Sequence, residues 1–216
     1  MTEFILPRKA SAQDPLRLAV LISGSGSGMQ ALLHHQAKGC AHRTVIVISN
    51  KSGVKGLDRA TSLGVTTLVI EVDNRIKDLG ERREAHEHRL LSALDLHEVE
   101  AVILSGYMRV LSPLFVRDWK GRLLNIHPSL LPKYPGAHAH RDALADGAEV
   151  TGCTVHLVDE GVDSGPILAQ AEVEVLDTDD EDSLSERVRA IEHEIYPATI
   201  DAFATGEINA PDPRAD

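Results

Sequence analysis

The chain has 216 residues, 43% of them hydrophobic and 25% charged, the proportions of a folded protein with room for one α/β domain or two small ones. Its 22 Lys and Arg stand against 33 Asp and Glu, a formal net charge of −11 that disfavours general attraction to nucleic acid or an anionic membrane. Cys40 and Cys153 are too few and too scattered for a disulfide framework or a zinc site, and neither a signal-peptide core nor a run of membrane-spanning length is present, so the expected setting is the cytoplasm, with no membrane or nucleic-acid partner.

Residues 1–15 read as a flexible N-terminal extension. The first element is Leu16-Arg17-Leu18-Ala19-Val20-Leu21-Ile22, an apolar run of strand length that suits a strand covered on both faces. Ser23-Gly24-Ser25-Gly26-Ser27-Gly28-Met29-Gln30 follows, and Ala31, Leu32 and Leu33 open a helix. Strand, glycine loop and helix start make an anion cradle, because free backbone N–H groups and the positive end of the helix dipole point the same way; a flexible turn without a ligand is the alternative for Gly24, Gly26 and Gly28. Met29 stands where a dinucleotide fingerprint has its last glycine, and the next strand, residues 44–49, ends in Asn50-Lys51 rather than an acid, which excludes a nicotinamide cofactor. A helix over residues 56–63, a strand over 66–72, a helix over 81–94 and a strand over 101–104 ending at Gly106 continue the alternation. That alternation predicts a Rossmann-like α/β fold, a doubly wound, mostly parallel sheet with helices on both faces, whose ligands sit beyond the carboxyl ends of the strands.

Arg122-Leu123-Leu124-Asn125-Ile126-His127-Pro128 begins as a buried strand and places Asn125 and His127 two residues apart, on one face of an extended backbone. Pro128, Pro132, Pro135 and Gly136 end the strand in a long loop. A carboxamide donor beside an imidazole suits a reaction passing through an oxyanion, although the same pair can also satisfy loop carbonyls. Residues 153–158 read as a strand, the acidic turn 159–166 carries Asp163, either solvated punctuation or a carboxylate that orients an imidazole, and 167–175 reads as extended. His138 and His140 read as loop residues rather than metal ligands. Residues 177–182 read as a loop before a helix that starts at a capping box, Ser183-Leu184-Ser185-Glu186, shows an apolar stripe of Leu184, Val188 and Ile191, and bends or breaks at Pro197. One domain over residues 16–206 and a frayed tail over 207–216 complete the chain.

Ile22-Ser23-Gly24-Ser25-Gly26-Ser27, Ser49-Asn50-Lys51, Gly106-Tyr107-Met108-Arg109-Val110-Leu111-Ser112-Pro113, the stretch from Asn125 to Gly136, Asp163-Ser164-Gly165-Pro166 and Glu192-His193-Glu194-Ile195-Tyr196-Pro197 together resemble the folate-dependent phosphoribosylglycinamide formyltransferases, over nearly the whole chain. The resemblance implies the formyltransferase fold and the transfer of a formyl group from 10-formyltetrahydrofolate, as co-substrate, to the amino group of glycinamide ribonucleotide in purine synthesis, by a monomer or homodimer and without a metal. Carried over by position, it implies a catalytic trio of Asn125, His127 and Asp163, with Asn125 holding the formyl oxygen, His127 sharing that task and proton transfer, and Asp163 orienting and charging His127. Gly26, Ser27 and Gly28 hold the ribonucleotide phosphate, with Pro128 and Glu192 near the glycinamide end. Arg83, Met108, Arg109, Val110 and Leu111 line the folate side together with Asn125, and the backbone of residues 159–163 lies against the pterin. Many members carry Asn where Gly28 stands, so a side-chain contact to phosphate or ribose is missing here or comes from elsewhere. Methionyl-tRNA formyltransferase and formyltetrahydrofolate deformylase normally carry additional domains for which this sequence has no room. A catalytically silent module for a phosphorylated metabolite needs the glycine loop but not the trio.

Overall fold

The structure is a computed structural model that describes residues 5–208. Strands β1 (Leu16–Ile22), β2 (His42–Ser49), β3 (Thr67–Val69), β4 (Ala101–Leu104), β5 (Leu123–His127), β6 (Val150–Leu157) and β7 (Ile167–Glu174) form one sheet in the order β3-β2-β1-β4-β5-β6-β7. The pairs from β3 to β5 are parallel, while β6 and β7 are antiparallel, so the sheet is mostly parallel as the alternation implies. Between the strands run α1 (Ser27–Gln36), α2 (Lys55–Ser62), α3 (Leu79–Leu96), α4 (Pro113–Asp118) and α5 (Ala139–Ala145), and α6 (Glu181–Thr205) follows β7.

Alternation along β1 explains the layers. Leu18, Val20 and Ile22 pack with Met29 and Leu32 of α1 and Ile200 and Phe203 of α6, whereas Ala19 and Leu21 pack with Leu90 and Leu94 of α3 and Phe115 of α4 on the other face. Both faces of the central strands are therefore covered, which is why they read as continuous apolar runs. The chain leaves β1 toward β2 on one side and returns to β4 on the other. This reversal opens a crevice between the carboxyl ends of β1 and β4, where ligands of such sheets bind.

Several boundaries depart from the sequence reading. Strand β3 is only three residues long; Leu68 and Val69 are 38% and 39% exposed at the sheet edge, so little packing rewards extending it. Helix α6 starts a turn earlier than expected, because Asp180, not Ser183, is the cap: its side chain accepts from the Ser183 N–H and the Ser183 hydroxyl accepts from the Asp180 N–H. Residues 181 and 182 are thus helical rather than loop. Pro197 does not end α6, which continues to Thr205; burial of Tyr196, Ile200, Phe203 and Ala204 offsets the helical bond that proline forfeits, a cost of about 3 kcal/mol. The N-terminal segment follows a defined path from Ile5: the Ile5 and Ala10 N–H groups donate to the carbonyls of Lys120 and Ala204, and Arg8 pairs with Asp14 and, at 2.6 Å, with Glu100. At the other end the Glu207 N–H donates to the Ala202 carbonyl. Of the expected flexible extension and frayed tail, residues 1–4 and 209–216 lie outside the described residues.

Candidate active site

Because β1, β4 and β5 are neighbours, the glycine loop, residues 105–109 and residues 125–128 meet at one edge of the sheet. Gly26 caps α1 with φ 66°, and a Cβ there would sit 2.8 Å from the Gly56 Cα. Only glycine serves at that position: the turn is left-handed and α2 starts against it. The N–H groups of the first turn of α1 have no helical partner and face an anion-sized opening. That opening is a cavity of about 350 Å³ lined by the whole loop from Ser23 to Gly28, with Pro128 and Glu192, all as the sequence reading groups them, and also by Ser105, Met108, Ile126, His140, Ser185, Arg189 and Tyr196. Glu192 is pushed up to about 7, first by burial and partly restrained by Arg189. One turn further on α6, the Tyr196 hydroxyl is shared between the carbonyls of Leu104 and Leu124, which fixes α6 against the ends of β4 and β5.

A second cavity, about 570 Å³, is lined by Asn50, Lys51, Ser52, Glu71, Val72, Asn74, Leu79, Arg82, Arg83 and Arg109. It adjoins the first through the consecutive residues Met108 and Arg109 and through the Ser23 hydroxyl, which donates to Asn50 Oδ1 at 2.6 Å and accepts from the Met108 N–H at 2.8 Å. The residues assigned to the folate side are thereby divided. Arg83 and Arg109 line the second cavity and Met108 the first. Val110 is 72% exposed and outside both linings. Leu111 is packed into the core with Phe115 and Val116, the helix-packing role that Met108, itself 75% exposed, does not share.

Asn125, His127 and Asp163 are brought together, and a fourth residue joins them. Asp163 lies at φ 50°, a left-handed conformation that Asp tolerates better than most residues. From there its Oδ2 is 3.2 Å from His127 Nδ1 and accepts from the Gly136 N–H at 2.8 Å. His127 Nε2 is 2.8 Å from the Tyr134 carbonyl. A carbonyl only accepts, so Nε2 carries a proton and donates to Tyr134, while the Asp163 carboxylate lies against the other ring nitrogen. The loop that presents Tyr134 is held by Thr154, whose hydroxyl donates to the Ser129 carbonyl and accepts from the Leu131 N–H.

His156, which the sequence reading passed over as part of an alternating strand, is the cross-strand neighbour of Asn125. Its Nδ1 faces the Leu157 carbonyl at 3.0 Å and therefore carries the proton, leaving Nε2 to accept from Asn125 Nδ2 at 3.2 Å. Burial lowers the proton affinity of His156, against the pull of Asp163, which keeps the ring in this neutral form. Asp163 Oδ1, at 3.7 Å, is too distant for a hydrogen bond to it. One Asn125 N–H is thus fixed, and the amide plane with it, while the second N–H remains to be offered elsewhere. The arrangement supplies a positioned carboxamide donor and an imidazole backed by a carboxylate, the equipment for stabilising and protonating an oxyanion.

The described residues also gather His35, Cys40, His42 and Asp201 within 4.8 Å at the opposite end of the sheet. Gln36 Oε1 accepts from the Thr44 N–H, so its NH₂ group faces His42 Nδ1 at 2.9 Å. The neutral His42 ring must then carry its proton on Nε2, a poor state for a metal ligand.

The formyl transferase family model matches residues 16–200. The chain is 48% identical over 202 residues to the trifunctional purine biosynthetic protein adenosine-3 of Drosophila melanogaster, covering 92% of itself but only 15% of that protein's length. It is 44% identical over 194 residues to phosphoribosylglycinamide formyltransferase of Escherichia coli, covering 89% of each chain. The crystal structure of glycinamide ribonucleotide transformylase 1 from Symbiobacterium toebii superposes with a TM-score of 0.84 at 40% identity, over 92% of this chain and 95% of that one.

Proposed function

The chain belongs to the formyl transferase family, and on that premise we propose that it moves the formyl group of 10-formyltetrahydrofolate onto the amino group of glycinamide ribonucleotide, a step of purine synthesis carried out in the cytoplasm. The observation that carries this reading is the conjunction at one sheet edge of a glycine-loop cavity, a cationic cavity beside it, and the network of Asn125, His127, Asp163 and His156.

The ribonucleotide phosphate sits on the N–H groups of Gly26, Ser27 and Gly28, which directs the glycinamide toward Pro128 and Glu192. The folate's carboxylates meet Arg83 and Arg109, and its pterin lies by residues 159–163. The substrate amine attacks the formyl carbon: a C–N bond forms and the carbonyl electron pair moves onto oxygen. The unassigned Asn125 N–H and the His127 imidazolium, which exchanges the Tyr134 carbonyl for this oxygen, stabilise the charge by a few kcal/mol. Collapse of the intermediate breaks the bond from carbon to the folate nitrogen, which takes up a proton while the attacking nitrogen gives one up. His127 mediates that exchange, held in place by Asp163.

Mixing the protein with glycinamide ribonucleotide and 10-formyltetrahydrofolate and following folate absorbance tests the reading. Turnover that requires both substrates is expected. Formyl loss at the same rate without the ribonucleotide would favour a deformylase, and no reaction at all would favour a silent binding module.

A further inference from the structure

At the end of the sheet opposite the two cavities, four side chains from separate segments converge: His35 from the last turn of α1, Cys40 from the turn after it, His42 from the first position of β2 and Asp201 from α6. Each offers one ligand atom, and these atoms lie within 4.8 Å of one another. The Ala41 N–H donates to Asp201 Oδ1 at 2.8 Å, while Oδ2 faces His35 Nε2 at 3.9 Å. The His35 and His42 rings stack with their planes 8° apart. His42 is 1% exposed, and neither its Nε2 nor that of His35 has a hydrogen-bond partner among the described residues. A buried ring nitrogen without a partner is costly, and two of them beside a carboxylate and a thiol point to a ligand held between them.

We propose that this cluster is a structural site for Zn²⁺, ligated by His35 Nε2, Cys40 Sγ, His42 Nε2 and Asp201 Oδ2. Two imidazoles, a thiolate and a carboxylate suit this ion, whereas Mg²⁺ and Ca²⁺ take oxygen ligands. Zinc bonds of about 2.0–2.3 Å put tetrahedral ligand atoms about 3.3–3.8 Å apart, so the four must close by about an ångström. His35 and Asp201 have room to move, with side chains 33% and 34% exposed, and they give the ion its way in from solvent. On binding, the Cys40 thiol, which donates to the His42 carbonyl at 3.2 Å, releases its proton, and His42 carries its proton on Nδ1 instead of Nε2. The Gln36 amide then turns end for end, so that Oε1 accepts from Nδ1, the outer contact typical of a ligating histidine. Its NH₂ group comes to face Thr44, whose Oγ1 is buried without a partner among the described residues. The ion ties the end of α1 and the start of β2 to α6. No local spacing announces the site; the packing of α6 on α1 assembles it. It stands apart from formyl transfer, and its failure leaves the proposed function untouched.

The test is metal binding by the full chain after treatment with a chelator, and it needs no substrate. Titration is expected to show one Zn²⁺ per chain and a Tm that rises with its concentration. Co²⁺ in its place should give the visible bands of a tetrahedral ion and a near-ultraviolet band from thiolate charge transfer. Cys40→Ser should abolish the thiolate band. Cys40→Ser, His35→Gln and Asp201→Asn should each weaken Zn²⁺ binding at least about tenfold, the last while keeping an acceptor for the Ala41 N–H. His34→Gln, next to the cluster but outside it, should change neither. Melts of the metal-free variants that match the metal-free parent show that the losses are not losses of folding; should one variant fail to fold, the other two decide. Gln36→Leu should also weaken binding, and tighter binding would remove Gln36 from the proposal. The absence of saturable binding would overturn the site. So would binding untouched by the three substitutions and without a thiolate band, which would show an adventitious ion on surface histidines only.

Discussion

The two adjoining cavities are built by opposite means. The first is shaped by backbone: Gly26 at φ 66° packs against Gly56, the first turn of α1 offers N–H groups, and one arginine reaches in from α6. The second is furnished by long side chains, Lys51, Arg82, Arg83 and Arg109, with Glu71 as the acid among them. A compact dianion of fixed shape can be recognised by donors that cost no side-chain entropy, whereas carboxylates on an extended ligand are met by charges that can follow them. The difference supports the proposed seating of phosphate in the first cavity and folate in the second, with the chemistry at the network at the end of β5.

Breaking that network should be costliest and should spare both cavities. Asp163→Asn keeps an acceptor for the Gly136 N–H but removes the charge beside His127, so kcat should fall by roughly a thousandfold or more with both KM values little changed. A rise in either KM instead would mean that Asp163 shapes a cavity. Asn125→Ala removes one oxyanion donor and should lower kcat by about a hundredfold, with unchanged folding by circular dichroism. Arg83→Ala and Arg109→Ala should each raise KM for formyl-folate by roughly tenfold and leave KM for the ribonucleotide alone, an asymmetry that reverses if the cavities are assigned the wrong way round.

The smallest effect contrasts the two acids. Burial raises the Glu192 carboxyl to about 7, whereas hydrogen bonds from Ser52 hold Glu71 low. Between the ordinary carboxylate value and about 7 the folded protein keeps a proton on Glu192 that the unfolded chain has lost. Its contribution to stability is therefore full at the acid end and disappears as pH rises through that window. Glu192→Gln should flatten this slope and raise Tm by a few degrees at neutral pH, while Glu71→Gln should leave the slope intact. Thermal melts of the parent and both variants between pH 4.5 and 8 check it.

What the sequence made legible is local. The strand, glycine loop and helix of residues 16–36, and the Asn-x-His spacing at the end of β5, follow from backbone geometry over a few residues. What it hid depends on pairing between distant segments. His156 acts because β6 lies antiparallel to β5 in one register, and nothing within residues 153–158 announces that neighbour. Arg189 lines the first cavity because Tyr196 fixes α6 against the ends of β4 and β5, a juxtaposition that no local spacing reveals. The start of α6 is obscured in the sequence by two overlapping capping patterns, of which Asp180 with Ser183 prevails over Ser183 with Glu186. Pro197 signals a break by propensity alone, and the apolar face that α6 buries overrides it.

The most direct measurement is a crystal structure of the ternary complex with glycinamide ribonucleotide and a non-transferring 10-formyl-folate analogue. The account predicts phosphate on the N–H groups of residues 26–28, the folate carboxylates at Arg83 and Arg109, and the amine about 3–3.5 Å from the formyl carbon, whose oxygen faces Asn125 and His127. Phosphate seated instead among Arg82, Arg83 and Arg109, or a formyl group remote from Asn125, would contradict it.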